Sequence, residues 1–562
     1  MNALIKSLLL ILFLSYSLFA FVSCSDDDDV PSEPPYEEED IRDEEILKSY
    51  LQQSYTSYIQ QVSVTESDIE ISGKYSGDGE FYLGEIPPYL DVTQVKKAPY
   101  KTRLNNSNFK IRLERRVERE GIIYDRLLSK WAIFESKEKT DQLVSHAHYA
   151  DNIHAIQQLQ PIPLTSKKGM GGIIITQYIS DLSLLDISSG TLNVSITQFM
   201  RLSPEGGDIE YSYGGKTYYF DKAYMEGVLD NILAEATKKR NISMAAIILV
   251  EPATRSVDPE LGALLQHPDY NGGAYTMPNM TNPEAVNCYA AAIDFLAKRY
   301  STTDNRYGRI AHWIMQNEID GSKDWANMGH KPVTVVMDAY IKSLRMCYNI
   351  VRQYDKNAEV FASLSHSWTY KSNMGWHTGK EVVDLLNAYG RAEGDFQWAI
   401  AYHSYPEDLF NPRTWDDPNA TFSMNTKFIT FKNLEVLSNW ALTKENKYKG
   451  TTKRSVWLSE AGVNSRSYSD EDLKIQAAGF AYAWKKINGL EGIDGIQWHN
   501  WFDHPDEGGA HLGLRKFLEA NQGEAKPVWT VFEMAGTSEE NEYFNQFLPV
   551  IGITDWNIIQ NF

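Results

Sequence analysis

Two patterns of apolar residues divide the chain at about residue 165. In the first, between residues 46 and 165, short segments such as 68–73 and 109–114 alternate apolar and polar residues with a period of two. This alternation is typical of half-buried β-strands, and turn-rich stretches separate the segments. Strands that follow one another without intervening helices predict a small β-sandwich-like accessory domain.

The second pattern, from residue 166 to residue 562, alternates short apolar runs with segments of helical spacing. Each run indicates a strand buried on both faces, and each following segment indicates a helix with one apolar face. The eight predicted strands cover residues 172–176, 192–200, 244–250, 309–318, 360–365, 398–403, 455–460 and 495–501. Eight such units predict an α/β fold, a (β/α)8 TIM barrel. A doubly wound open sheet is the structural alternative, but no glycine-rich phosphate turn follows any of these strands.

The longest connections of the predicted barrel follow strands rather than helices. They cover residues 251–281, 318–332, 404–425 and 503–527. Barrel enzymes build their active sites from the loops that follow strands. The sequence therefore predicts a substrate cleft at the carboxyl ends of the strands.

Carboxylates end three of the predicted strands. Asn317 and Glu318 close the fourth strand, and Glu460 closes the seventh. Two such glutamates on one sheet are what a glycosidase with two catalytic carboxylates requires. Glu251 ends the third strand and is the main alternative to these two glutamates as a catalytic carboxylate. Pro252 follows it directly, which favours a subsite or structural role for Glu251.

This arrangement resembles the clan A retaining glycoside hydrolases, in which Asn-Glu closes strand four and another glutamate closes strand seven. The resemblance covers about residues 167–562, and no closer family is identified from it. It implies that Glu318 is the acid/base, that Glu460 is the nucleophile, and that Asn317 holds the 2-hydroxyl of the sugar.

Three more strand ends fit the same resemblance. Strand six ends in His403-x-Tyr405, where related families place a tyrosine that is hydrogen-bonded to the nucleophile. Strand eight supplies Trp501 and Trp498 where the clan has an aromatic platform, and Trp501 is preferred because it lies nearer the rim. Further candidates for contacts with sugar hydroxyls are His499 and, after strand five, Trp368.

Charge and composition narrow the range of partners. The formal net charge of −21 argues against a nucleic-acid backbone as partner. The aromatic content of 12% suits both a large core and sugar-stacking surfaces. Cys288 and Cys347 have no spacing that pairs them, which favours buried thiols over a disulfide or a zinc site. No HExxH motif occurs, so neither a metal nor a cofactor is expected.

The N-terminus predicts export. Lys6 precedes an apolar segment that ends before Cys24, which indicates a lipoprotein signal peptide over residues 1–24 with lipidation at Cys24. An uncleaved membrane anchor is the alternative. Residues 25–45 are strongly acidic and predict a disordered tether that begins like the export signal of surface lipoproteins in some Gram-negative bacteria. We expect an outer-membrane-anchored, surface-exposed protein whose only link to the membrane is the lipid.

These inferences together predict a retaining glycoside hydrolase. It would cleave an extracellular oligo- or polysaccharide by double displacement through a glycosyl-enzyme intermediate. The alternative is a non-catalytic surface glycan-binding lipoprotein on a barrel scaffold. The sugar, the linkage and the choice between endo and exo action stay open.

Overall fold

Eight parallel strands close into a barrel in the order in which they occur in the chain. The computed structural model describes residues 34–560. The barrel strands are Lys168–Met170, Ser189–Ser195, Ser243–Leu249, His312–Met315, Glu359–Leu364, Trp398–Tyr402, Val456–Ala461 and Gly495–Trp498. The predicted TIM barrel is confirmed, and His312–Met315 and Val456–Ala461 are its fourth and seventh strands.

The first barrel strand lies earlier than predicted. It covers Lys168–Met170 rather than residues 172–176. The prediction was wrong because it began the strand after Lys168, whereas only 3% of this residue is exposed and its Nζ donates to the carbonyl of Ala535 at 2.9 Å. A buried lysine whose amine is bonded to backbone oxygens can occupy a strand position that its charge alone would exclude.

Helices surround the barrel, and the longest of them are buried on most sides. The longer ones are Pro259–Leu265, Pro283–Arg299, Val333–Tyr354, Gly379–Glu393, Glu435–Leu442, Asp470–Gly489 and Pro527–Met534. Asn282 caps Pro283–Arg299 because its side chain accepts a hydrogen bond from the backbone of Ala285. Between the second strand and the third, helical turns over residues 222–238 follow a three-stranded antiparallel sheet of Met200–Arg201, Ile209–Tyr213 and Lys216–Phe220.

Two four-stranded sheets form the region before the barrel, as predicted. The strands of these sheets are Tyr58–Val64, Asp68–Lys74, Phe81–Ile86, Tyr100–Leu104, Asn108–Glu114, Lys130–Ser136, Asp141–Leu143 and Asn152–Ile153. A separate hairpin pairs Arg116–Arg119 with Ile122–Asp125. Apolar residues from both sheets share one core cluster, among them Ile69, Phe81 and Ile133. The sheets therefore pack face to face as a β-sandwich, and its exact limits at residues 46 and 165 stay predictions.

A helix over Glu38–Gln52 precedes the sandwich and corrects the predicted tether. Residues 38–45 are acidic, but Asp40, Leu47 and Tyr50 share one face of the helix and are buried. Lys331 of the barrel binds Asp40 at 3.0 Å, which offsets the cost of burying that carboxylate. The signal peptide, Cys24 and residues 25–33 of the tether lie outside the described residues. Within residues 34–560, no helix combines the length and the apolar character needed to cross a membrane.

Candidate active site

A left-handed turn presents Glu318 at the carboxyl end of barrel strand four. The strand ends at Met315, three residues earlier than predicted, because Gln316 has φ 54° and Glu318 has φ 33°. Residues with side chains adopt this region at an energetic cost, and such strain is concentrated at functional sites. The Glu318 backbone N–H donates to Ser363 Oγ of strand five at 3.0 Å, which fixes the turn against its neighbour. Asn317 and Glu318 are both half-buried at this rim.

His403 lies between the two predicted catalytic carboxylates. Its Nδ1 is 2.8 Å from Glu318 Oε1 and 3.9 Å from Glu460 Oε2, while its Nε2 lies 3.3 Å from Ser363 Oγ. The two carboxylate oxygens are therefore at most 6.7 Å apart, the sum of the two distances to the shared nitrogen. Burial alone would lower the pKa of His403, but the charges of Glu460 and Glu318 outweigh it and raise that pKa.

Glu460 projects from strand seven beside residues from strands six and eight. The Tyr405 hydroxyl donates to Glu460 Oε1 at 3.0 Å. The Tyr405 ring meets the His499 ring edge-on, with centroids 6.3 Å apart. Strand ends four, six, seven and eight thus meet at one place, as barrel closure requires of parallel strands.

His499 forms a second histidine–glutamate pair next to Glu460. Its Nε2 is 3.0 Å from Glu507 Oε1, and the Asn500 side-chain amide donates to the same oxygen at 2.8 Å. Burial opposes the charged ring, yet the carboxylates of Glu460 and Glu507 together raise the pKa of His499 to about 9. Glu507 and Asn500 were not predicted, although Glu507 lies in the loop over residues 503–527 that was assigned to the cleft.

Asp320 places a third carboxyl group two residues after Glu318. It is fully buried, and Ser365 donates to it from both its backbone N–H and its hydroxyl. Burial, followed by the nearby charge of Glu318, raises the pKa of Asp320 to about 7. Since Ser365 follows barrel strand five, this contact joins the loops after strands four and five beneath the site.

Glu251 lies at the end of strand three, outside the pair of carboxylates joined by His403. The Gln198 amide donates to its Oε2 at 2.8 Å, and Arg255 Nε lies 3.5 Å from the same oxygen. Burial raises the pKa of Glu251, while Arg255 and Gln198 act in the opposite direction. The contacts suit the predicted subsite or structural role.

The three tryptophans predicted to contact sugar are instead packed inside the protein. Trp498 and Trp368 are fully buried and Trp501 is 2% exposed. Their indole N–H groups donate to Leu512 O at 2.9 Å, Met424 O at 3.0 Å and Asp181 Oδ2 at 3.0 Å, respectively. A ring that is covered on both faces cannot stack on a sugar, so these predictions are wrong.

Two other aromatic residues lie at the mouth of the barrel. Tyr275 and Trp325 belong to the loops after strands three and four and stack with centroids 6.1 Å apart. Tyr275 belongs to the cluster of apolar side chains in the barrel lumen, and Trp325 packs against it. Both residues lie in the long post-strand loops that the sequence assigned to the cleft, and that position was the only signal pointing to them.

A family model described as a family of unknown function, DUF5722, matches residues 161–559. The chain belongs to the DUF5722 family. The matched region is the barrel, so membership of DUF5722 covers the strand-end carboxylates and leaves out the sandwich. A comparison with curated proteins gave no match.

Solved structures of glycoside hydrolases are similar to this DUF5722 protein at low identity. A family 39 glycoside hydrolase from the gut symbiont Bacteroides cellulosilyticus WH2 is 14% identical, with 86% of this chain and 83% of that chain covered and a TM-score of 0.45. A Bacteroides uniformis β-glucuronidase is 10% identical, with a TM-score of 0.38; the match covers 86% of this chain but spans half of that enzyme. A glucosidase from Croceicoccus marinus is 10% identical, with 67% and 68% covered and a TM-score of 0.41. These likenesses are too distant to bear on function.

Proposed function

We propose that this DUF5722 protein is a retaining glycoside hydrolase in which Glu460 is the nucleophile and Glu318 the acid/base. The observation that carries the proposal is the meeting of the two strand-end glutamates at His403, with oxygens at most 6.7 Å apart. Retaining enzymes need carboxyl groups about 5–5.5 Å apart, whereas inverting enzymes need about 6.5–9.5 Å. The upper limit on this pair of oxygens is compatible with the retaining geometry.

In the first step, an oxygen of the ionised Glu460 attacks the anomeric carbon, and the bond to the leaving oxygen breaks. Glu318 donates its proton to that oxygen, so the leaving group departs as an alcohol and Glu318 becomes a carboxylate. In the second step, Glu318 takes a proton from water while the water oxygen attacks the anomeric carbon. The bond to Glu460 then breaks, and both side chains return to their starting states.

The neighbours of the two glutamates have distinct parts in this scheme. Tyr405 donates a hydrogen bond to Glu460 Oε1, which holds the carboxylate oriented for attack. His403 holds the carboxyl group of Glu318 in place through the 2.8 Å contact. Asn317, at the same rim, would hold the 2-hydroxyl of the sugar, a contact that strengthens in the transition state.

The substrate is an oligo- or polysaccharide met outside the cell, as the N-terminal sequence supports. The predicted signal peptide and Cys24 would carry the protein to the outer membrane, with a lipid as its only membrane contact. In a Gram-negative host, Cys24→Ser should move the full-length protein from the membrane fraction to the soluble fraction. If the wild type and Cys24→Ser were distributed equally between the membrane and soluble fractions, lipid anchoring at Cys24 would be ruled out.

Glutamine substitution of each catalytic glutamate tests the assignment. The purified protein is screened against aryl glycosides and polysaccharides, and kcat is then measured for Glu460→Gln on each substrate that is cleaved. We expect a loss of about 10³-fold or more, because Glu460→Gln cannot form the glycosyl-enzyme bond. Glu318→Gln should lose less activity on aryl glycosides with acidic leaving groups, which need little protonation.

Glu542→Gln is the matched control, since Asn541–Glu542 is the other Asn-Glu pair and is exposed in helix Glu540–Phe544. It should behave like the wild type. Proton NMR of the first product reports the anomer, and an inverted product would rule out the double displacement. Oligosaccharide binding without turnover across the whole panel would favour the alternative of a glycan-binding protein.

A further inference from the structure

The stacked pair of Tyr275 and Trp325 covers one side of the barrel mouth. Both rings adjoin lumen residues that include Leu249 and Ile314 of strands three and four. The two rings stack with an interplanar angle of 26°. Tyr275 is only 3% exposed, so it supports Trp325 from the protein side, and the accessible part of Trp325 is the aromatic surface at the mouth. Trp325 is half-buried, and part of the residue is therefore exposed to solvent at the mouth.

Backbone hydrogen bonds hold this aromatic pair rigidly. The Ala274 and Tyr275 N–H groups reach the carbonyl of Asp324 at 2.6 and 3.3 Å, and Asn327 N–H donates to Tyr275 O at 2.9 Å. Thr276 N–H continues the pairing onto Val250 O, at the end of strand three, at 3.0 Å. Rigid placement on a barrel strand lowers the entropy lost when a ligand is bound.

The pair lies within reach of the proposed catalytic centre. Trp325 follows Glu318 by seven residues, through a 3-10 turn at Ile319–Gly321 and the short helix Ser322–Trp325. At the rise of these helices, the chain advances by about 12 Å between Glu318 and Trp325. That distance leaves room for a sugar ring adjacent to the one undergoing cleavage.

A charge-neutral polar pair borders the aromatic surface. Arg255 Nη2 donates to the carbonyl of Ala274, next to Tyr275, and Arg255 Nε lies 3.5 Å from Glu251 Oε2. The side chain of Glu251 is 4% exposed, whereas that of Arg255 is 36% exposed. Glu251 therefore balances the charge of Arg255 from within, while part of the Arg255 side chain remains exposed to solvent.

We propose that Glu251, Arg255, Tyr275 and Trp325 form a subsite, called here the Trp325 subsite, for a neutral pyranose ring of the substrate chain. This inference rests on the proposed function. The aromatic surface suits the apolar face of a pyranose ring, and guanidinium N–H groups suit its hydroxyl oxygens. A uronate is disfavoured because Arg255 already neutralises Glu251, and an added carboxylate would lie near that buried charge.

Binding of defined hexasaccharides to the Glu460→Gln protein tests the subsite without any need for turnover. The probes are cellohexaose, xylohexaose, mannohexaose and laminarihexaose, with hexagalacturonate as the anionic counterpart. We expect at least one neutral hexasaccharide to bind, and Trp325→Ala to raise its Kd about tenfold or more. Trp325→Phe should keep most of the affinity, and Arg255→Gln should weaken it as a second, independent variant.

Tyr58→Ala is the control, because Tyr58 is an exposed aromatic residue of the sandwich, 49% accessible, and should leave the Kd unchanged. Circular dichroism and thermal unfolding show which variants are folded. The Trp325 subsite is overturned if folded Trp325→Ala and Arg255→Gln bind like the parent, if no neutral hexasaccharide binds, or if hexagalacturonate alone binds. The proposed function fails separately, when the wild type cleaves nothing, because the binding measurements do not depend on cleavage.

Discussion

The buried side chain of His499 is kept protonated by carboxylates of the proposed catalytic centre. Glu460 and Glu507 raise its pKa to about 9 against the opposing effect of burial. Because the folded pKa lies above the unfolded value of about 6.5, the protonated ring stabilises the fold. That contribution is complete below about pH 6.5, falls as the pH rises, and is lost above about pH 9.

The pH dependence of stability should therefore change in His499→Gln. We expect the difference in unfolding free energy between wild type and variant to fall by on the order of 3 kcal/mol between about pH 6 and about pH 10. Urea unfolding at several pH values measures this difference. Lys526, whose pKa burial lowers to about 8 despite its pairing with Asp503, titrates in both proteins and cancels. A difference that is independent of pH would contradict the prediction.

The sequence predicted which polar residues meet at the candidate site better than it predicted which side chains are buried. Glu318, Glu460, His403, Tyr405 and His499 lie together because parallel strands of a closed barrel bring their carboxyl ends to one rim. The tryptophan predictions for this rim were wrong. The local sequence around a tryptophan near a strand end is the same whether its ring faces the lumen or the surrounding helices. The direction of the ring is decided by tertiary packing.

Among the elements, the strands were predictable and the connections between them were not. Runs such as residues 244–250 are apolar because strands of this sheet are buried on both faces. The first strand was misplaced because the buried amine of Lys168 is paired with distant backbone oxygens. The sheet containing Met200–Arg201, Ile209–Tyr213 and Lys216–Phe220 was missed, although residues 209–213 alternate apolar and polar side chains with a period of two.

Trp368 links two of these connections and should therefore matter for stability. Its indole N–H donates to Met424 O, and its backbone N–H donates to Lys427 O at 2.8 Å, so it joins the loops after strands five and six. Trp368→Phe keeps a ring in the core but leaves the carbonyl of Met424 without this donor. We expect the free energy of unfolding to fall by about 1–3 kcal/mol, as measured by urea titration.

The same variant separates a structural role for Trp368 from the predicted sugar contact. Folded Trp368→Phe should bind neutral hexasaccharides with the affinity of its parent, because the ring has no exposed face. Trp325→Ala is the contrasting variant, because it removes the half-buried ring at the mouth and should lower the affinity. A loss of affinity in Trp368→Phe without a loss of stability would instead support the predicted contact between Trp368 and the sugar.

At the scale of the whole molecule, the sandwich is fixed to the barrel by buried polar contacts. Lys130 of strand Lys130–Ser136 lies 2.6 Å from Glu393, the last residue of barrel helix Gly379–Glu393. Tyr50 of the N-terminal helix donates to the same carboxylate at 2.9 Å, and Asn349 of the barrel donates to Leu127 O at 3.0 Å. One glutamate thus joins the helix, the sandwich and the barrel, an arrangement suited to bracing the barrel.

Removing the charge of Glu393 should loosen this junction. Burial alone would lower the pKa of Lys130, but Glu393 raises it, so the lysine stays charged. Glu393→Gln keeps an acceptor for Tyr50 yet leaves a buried ammonium unpaired, which costs about 3–5 kcal/mol. We expect a lower midpoint in urea, and Lys130→Met combined with Glu393→Gln should recover much of the loss.

The exposed pair Lys110–Glu70 is the control, because Glu70→Gln should cost about 1 kcal/mol at most. Equal midpoints for Glu393→Gln and Glu70→Gln would mean that the sandwich does not brace the barrel through this contact.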